Sequence, residues 1–93
     1  MAYSLAFKED ALQEWYVLDN AVRGQFKNKL EERLTNPHTP ASKLSGQKNR
    51  YTIKLRNMGF RLVYEMRDAE LIVVIVAVGK HERNAVYKAA AKR

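Results

Sequence analysis

The sequence contains no cysteine, which excludes disulfide staples, thiolate metal ligands and a cysteine nucleophile, and suits a reducing compartment. It holds no uninterrupted apolar run of the ~18 residues that a membrane-spanning helix needs, so no membrane partner is expected. Residues 1–8 lack the basic and apolar segments of a secretory signal, and a cytoplasmic location is expected. Glycine is scarce, with four residues, and none belongs to a Gly-rich phosphate loop. The two histidines, His38 and His81, stand too far apart for metal-ligand spacing, and no Ser, His and Asp set presents itself. No metal and no cofactor are expected. What is present is apolar material. Hydrophobic residues make up 46% of the 93 positions, with Trp15, five Tyr and three Phe. That suffices for one small domain burying roughly 60–65% of its unfolded surface.

Acidic residues are also in short supply. Seventeen Lys and Arg against ten Asp and Glu leave a formal charge of +7. The excess is uneven. Residues 1–42 carry five basic and six acidic side chains, whereas residues 43–93 carry twelve and four. A basic half of this kind marks either a polyanion-binding surface or a solubilising one, and charge alone leaves both open.

Tyr3, Leu5 and Phe7 alternate with Ala2, Ser4 and Ala6, the period of a short strand. Ala11, Trp15 and Leu18 then recur at helical spacing, with Glu9, Asp10 and Glu14 placed early, where the helix dipole favours acids. Asp19 or Asn20 reads as the N-cap of a second helix striped by Val22, Phe26, Leu30 and Leu34, which Pro37 and Pro40 must terminate. Residues 36–49 are rich in turn formers. Arg50 to Arg56 alternates cleanly as a strand, Asn57-Met58-Gly59 turns it, and Phe60 to Arg67 returns. Leu71 to Val78 is an unbroken, β-branched run, the mark of a central strand covered on both faces, and Gly79 is expected to stop it. Glu82 to Arg93 reads as a short helix. The expected class is α+β, a β-α-α-β-β-β order plus a C-terminal helix, with helices on one face of a mostly antiparallel four-stranded sheet.

The polar face of the 50–56 strand carries Arg50, Lys54 and Arg56, and the facing strand adds Arg61. Four neighbouring cations repel one another, and a phosphodiester backbone is their natural compensation. The plainer reading is a solvated sheet face partly relieved by Glu65. Gly79-Lys80-His81-Glu82-Arg83 follows the buried strand, and Tyr87 comes shortly after. His81 can exchange a proton near neutrality, and its cationic setting suits a proton acceptor better than a standing acid. Tyr87 either stacks on a base or packs on the sheet. His38, in its Pro-flanked loop, receives no role. Carboxylates concentrate away from the basic half, which disfavours a two-carboxylate or metal-dependent nuclease. If RNA is cut, cations, one His and one Tyr suit attack by the ribose 2′-OH on the adjacent phosphorus.

Lys43-Leu44-x-Gly46, Tyr51-x-Ile53-Lys54-Leu55-Arg56-x-x-Gly59-Phe60-Arg61-Leu62-Val63-Tyr64 and Val78-Gly79-Lys80-x-Glu82-Arg83-x-x-Val86-Tyr87 closely resemble the RelE toxins of the RelE/ParE toxin–antitoxin superfamily, as do Met1-Ala2-Tyr3 and Asp10-Ala11-Leu12-x-Glu14-Trp15. The likeness spans nearly the whole chain and implies one RelE-like toxin domain over residues 1–93. It implies a ribosome-dependent endoribonuclease that cleaves mRNA in the 30S A site and is silenced by a cognate RelB-like antitoxin. Lys54 then matches the lysine that accepts the 2′-OH proton or holds the phosphate, Arg61 the arginine that stabilises the transition state, and Tyr87 the tyrosine that positions a base. Lys43, Arg56, Lys80 and Arg83 stand in the same motifs as substrate-binding cations. Lys27, Lys29, Lys48, Arg50 and Lys88 are further rRNA-contact candidates.

The pattern is broken at three positions. Thr52 replaces a second lysine, His81 an arginine, and Ser45 the usual arginine of Lys-Leu-x-Gly. Each loses a cation; His81 compensates if it serves as the acid–base group. Two other readings stay open: a ParE-like toxin that inhibits DNA gyrase, and a weakly active or inactive relative that binds antitoxin or RNA.

Overall fold

The computed structural model describes residues 3–93, so Met1 and Ala2, assigned above to the first strand and to the resemblance, lie outside the described residues. The elements are β1 (Ser4–Phe7), α1 (Glu9–Tyr16), α2 (Asn20–Thr35), β2 (Arg50–Leu55), β3 (Phe60–Arg67), β4 (Ile72–Lys80) and α3 (Ala85–Ala91), with one 3₁₀ turn at Pro40–Ser42. This is the expected α+β order. The sheet runs β1-β4-β3-β2, with β1 parallel to β4 and the other pairs antiparallel.

Period-two alternation in the strands sorts the core into two clusters. On one face, Tyr51, Ile53, Leu55, Leu62, Tyr64, Met66, Val73, Ile75 and Val78 pack against Ala11, Trp15 and Leu18 of the α1 region and Val22, Phe26 and Leu30 of α2. Burying such side chains is worth ~1.5–3 kcal/mol each and fixes both helices on that face. On the other face, Val63, Val76 and Ala77 receive Val86 and Ala90 of α3. The helices therefore do not share one side, as the element pattern suggested: α3 crosses to the opposite face, which is why β4 is apolar from Ile72 to Val78.

A β-bulge sits in β4. Val63 pairs with Ala77, but the next residue, Tyr64, pairs with Ile75, leaving Val76 as an extra residue. Val76 and Ala77 consequently both face α3.

Gly79 does not end β4, which continues to Lys80. It lies beneath α3, where a Cβ would meet Val86 Cγ2 at 3.5 Å, an ordinary contact. The last helix also starts later than Glu82, because Arg83 and Asn84 both take positive φ, 46° and 61°, and fold the chain back over the sheet. Gly59, at φ 71°, takes the left-handed conformation the hairpin turn requires. On the α2 side, the fully buried Tyr64 donates to the Pro37 carbonyl at 2.8 Å and accepts from Arg33 at 3.0 Å, anchoring the 36–49 loop. Burial pushes its phenol upward, against the lowering effect of Arg33.

Candidate active site

The sheet face beneath α3 brings the expected cleft residues together. Lys54 on β2 is the direct cross-strand partner of Arg61 on β3, and Arg61 in turn pairs with Gly79 on β4. Side chains so paired start about 4.5–5.5 Å apart and point the same way. Two cations therefore stand side by side, and neither makes an ion pair among the described residues. Arg61 is half-buried; Nη1 donates to the Phe60 carbonyl at 3.1 Å, while Nε is buried with no hydrogen-bond partner among the described residues. A buried, unpaired donor of this kind costs ~1–3 kcal/mol, and an anionic oxygen would satisfy it.

Thr52, one alternation step from Lys54, is 6% exposed. Its Oγ1 donates to the Leu62 carbonyl at 3.1 Å and lies 3.4 Å from the Tyr87 hydroxyl. A threonine has one proton to give, so Tyr87 is the donor in the second contact. The Tyr87 ring is half-buried, packed against the second core cluster. His81 lies two residues beyond Gly79, with its backbone N–H on the Gly59 carbonyl at 2.7 Å and its exposed side chain making no hydrogen bond among the described residues. Continued alternation places it on the Arg61 side.

Other expected contributors lie elsewhere. Lys80 faces away, lining a hollow with Glu14, Val17, Leu18, Asp19 and Phe60. Lys43 bridges to the outer edge of β2, its ammonium 5.9 Å from the centroid of the Tyr51 ring on the α2 side of the sheet. Arg56 lines a groove of about 580 Å³ with Gln25, Lys29, Lys54 and Asn57. Lys54 thus joins that groove to the cleft. Arg83 is exposed in the turn before α3. Arg50 is not a free cation of this face: its Nε pairs with Glu65 Oε1 at 3.1 Å, Arg67 holds Oε2 at 3.0 Å, and Arg50 also donates to Gln47 and to the Ala90 carbonyl. Burial opposes ionisation of Glu65, but its bonds from Arg67 and Arg50 win and hold the carboxyl below its usual value. Of the four cations expected on this face, Lys54, Arg56 and Arg61 make no ion pair among the described residues. His38 sits between Asp68 at 3.2 Å and the Tyr51 hydroxyl at 3.3 Å, far along the sheet from Arg61. Among the described residues, no group of three or more His, Asp or Glu side chains is placed to hold a metal ion.

Comparison with known proteins identifies the lineage of this site. Residues 5–85 match the family model for the ParE toxin of the type II toxin–antitoxin system, parDE. The mRNA interferase toxin RelE of Escherichia coli K12 is 50% identical over 93 residues, 100% of this chain and 98% of its own. The chain belongs to the RelE/ParE family of type II toxins. A doubly substituted E. coli RelE toxin in the free state superposes with a TM-score of 0.92 at 48% identity, covering 100% of this chain and 98% of that one. The RelE toxin within the intact E. coli RelBE toxin–antitoxin complex has a TM-score of 0.85 at 49% identity, covering 88% of this chain and 100% of its own. The Thr52–Tyr87 contact has no signature in the sequence. No periodicity links a strand residue to a helix residue 35 positions away.

Proposed function

We propose that this protein, a single toxin unit over residues 1–93, is a RelE-type mRNA interferase that cuts mRNA in the ribosomal A site and so arrests translation in the cytoplasm. The observation that carries the reading is the Lys54–Arg61 cross-strand pair, which among the described residues has no acidic ion-pair partner and contains a buried Nε without a hydrogen bond. It supports a phosphate held between the two cations. Attack by the 2′ oxygen forms the O2′–P bond and breaks the P–O5′ bond, leaving a cyclic phosphate. Arg61 and Lys54 stabilise the extra negative charge on the phosphorane-like transition state. His81 takes the 2′-OH proton, and water supplies the proton that the departing O5′ takes up. Tyr87 positions the neighbouring base. Lys43, Arg56 and Arg83 contact RNA outside the cleft, Lys80 on the far face contacts rRNA, and a RelB-like antitoxin is the silencing partner.

Primer extension on translated mRNA after expression of wild type, Lys54→Ala, Arg61→Ala and His81→Ala tests the reading, with A-site cleavage on programmed ribosomes as its in vitro counterpart. Wild type should cut and all three variants should be impaired. Undiminished cleavage by all three would remove the assignment. The parDE family match favours one alternative, a gyrase-inhibiting toxin; growth arrest with the SOS response induced and mRNA intact would establish it instead.

A further inference from the structure

β1 ends at Phe7, but β4 runs on to Lys80, so the last part of its edge has no neighbouring strand. Two side chains from opposite ends of the chain take the place of one. Glu14 Oε1 on α1 accepts from the Val78 N–H at 3.2 Å, and Arg93 Nη1, just beyond α3, donates to the Val76 carbonyl at 2.9 Å. The same groups bind each other in a fork, Nη1 to Oε1 at 2.8 Å and Nη2 to Oε2 at 3.0 Å. Asp10 adds a carboxylate 3.6 Å from Arg93 Nε, and Lys8 Nζ donates to the Arg93 carbonyl at 2.7 Å. The Arg93 side chain is 19% exposed, which is unusual for a cation beyond the last helix of a small domain. Its bond to Glu14 holds the guanidinium above its ordinary value.

The clamp straddles the sheet. Glu14 belongs to the face that packs the large core, whereas α3 lies on the cleft face. Seven residues of helix are too few to persist without tertiary support. Besides this clamp, α3 is held by Val86 and Ala90 in the smaller cluster and by the bond from Arg50 to the Ala90 carbonyl. Tyr87 rides on that helix, and its hydroxyl meets Thr52 at the 3.4 Å outer range of hydrogen bonding. A small drift of α3 would break that contact.

We propose that Glu14 and Arg93 are positioning residues for RNA cleavage: by capping the β4 edge they fix α3, and through it the Tyr87 ring beside the Lys54–Arg61 pair. This rests on the nuclease reading above. The test uses the full chain with Glu14→Gln, with Arg93→Lys, and with the exchange of Glu14→Arg and Arg93→Glu together. Backbone amide exchange of Val86 to Ala90 should quicken roughly 10- to 100-fold in Glu14→Gln while β3 amides are unchanged, and the exchanged pair should recover much of the protection. On programmed ribosomes, Glu14→Gln should lower kcat about tenfold with KM unmoved, and should have no further effect once Tyr87→Ala is present. The proposal is overturned if α3 exchange does not change, if all amides quicken together, or if the Glu14→Gln and Tyr87→Ala losses multiply. Should wild type leave ribosome-bound mRNA intact, the nuclease reading falls, and the α3 exchange pattern alone decides whether the clamp exists.

Discussion

The Tyr87 hydroxyl donates to Thr52 Oγ1 across 3.4 Å, because the single Thr52 proton is already directed to the Leu62 carbonyl. The residue that stands where the family resemblance led us to expect a second lysine therefore serves the tyrosine instead of the phosphate. Removing the hydroxyl while keeping the branched shape, as in Thr52→Val, should lower cleavage about 2- to 10-fold, the worth of one neutral hydrogen bond of ~0.5–1.5 kcal/mol. Single-turnover cleavage on programmed ribosomes measures it. A variant as active as wild type would show that the contact does not hold Tyr87.

Arg61 places a cation directly opposite Lys54 and buries an unpartnered Nε, so function and stability should part company there. Arg61→Met keeps the apolar stem and removes both liabilities. Cleavage should drop by about 10²–10³. Thermal unfolding should occur at the same temperature or higher, with about 4–8 °C for each kcal/mol recovered in a domain of this size. Calorimetry on the purified variant tests this, and a large fall in Tm would contradict it.

Glu65 is held below its ordinary value of 4.5 by Arg67 and Arg50. A carboxylate depressed in the folded state contributes stability that is complete above its unfolded pKa and is lost as pH falls through the folded one. Glu65→Gln should thus be less stable than wild type at neutral pH, with the gap closing below pH 4.5. Urea unfolding at neutral and at acidic pH gives the comparison. A gap that does not narrow would show that the Arg50–Glu65–Arg67 cluster contributes nothing through charge.

Gly79 has ordinary contact room for one methyl group, 3.5 Å from Val86 Cγ2. Gly79→Ala should fold and cleave much like wild type. Gly79→Ile should lift α3 and reduce cleavage without unfolding the sheet, seen as faster exchange at Val86 and Ala90 with β2 and β3 protected. Equal behaviour of the two variants would mean that α3 is not seated on Gly79.

The elements legible in the sequence are those written in side-chain periodicity. Ala11-Trp15-Leu18, Val22-Phe26-Leu30 and Tyr51-Ile53-Leu55 each report a face, and the structure buries each of them on the face their spacing implies. Lys54 and Arg61 followed from the same logic, since strand alternation and one short hairpin fix their register. What periodicity does not carry was misread or unseen. Gly79 looked like a stop because a glycine's meaning depends on what approaches it, here Val86 from another element. Lys80 is adjacent to His81 in sequence but lies on the opposite side of the strand. Arg50 reads as a cation of the open face because one of its partners, the Ala90 carbonyl, lies 40 positions away in sequence. The late start of α3 comes from two consecutive left-handed residues, of which only Asn84 is a type that favours that conformation.

The bulge at Val76 makes backbone geometry, rather than composition, the arbiter of what meets Arg61. Before it, Val73 and Ile75 look toward α1 and α2; after it, Val78 does. Were the bulge straightened with every residue of β4 kept, alternation would reverse downstream of it, turning Gly79 toward the large core and Val78 and Lys80 toward α3. A third cation would then stand against the Lys54–Arg61 pair, and the flat seat for Val86 would be gone. One supernumerary valine, itself without any chemistry, thereby keeps a glycine opposite Arg61.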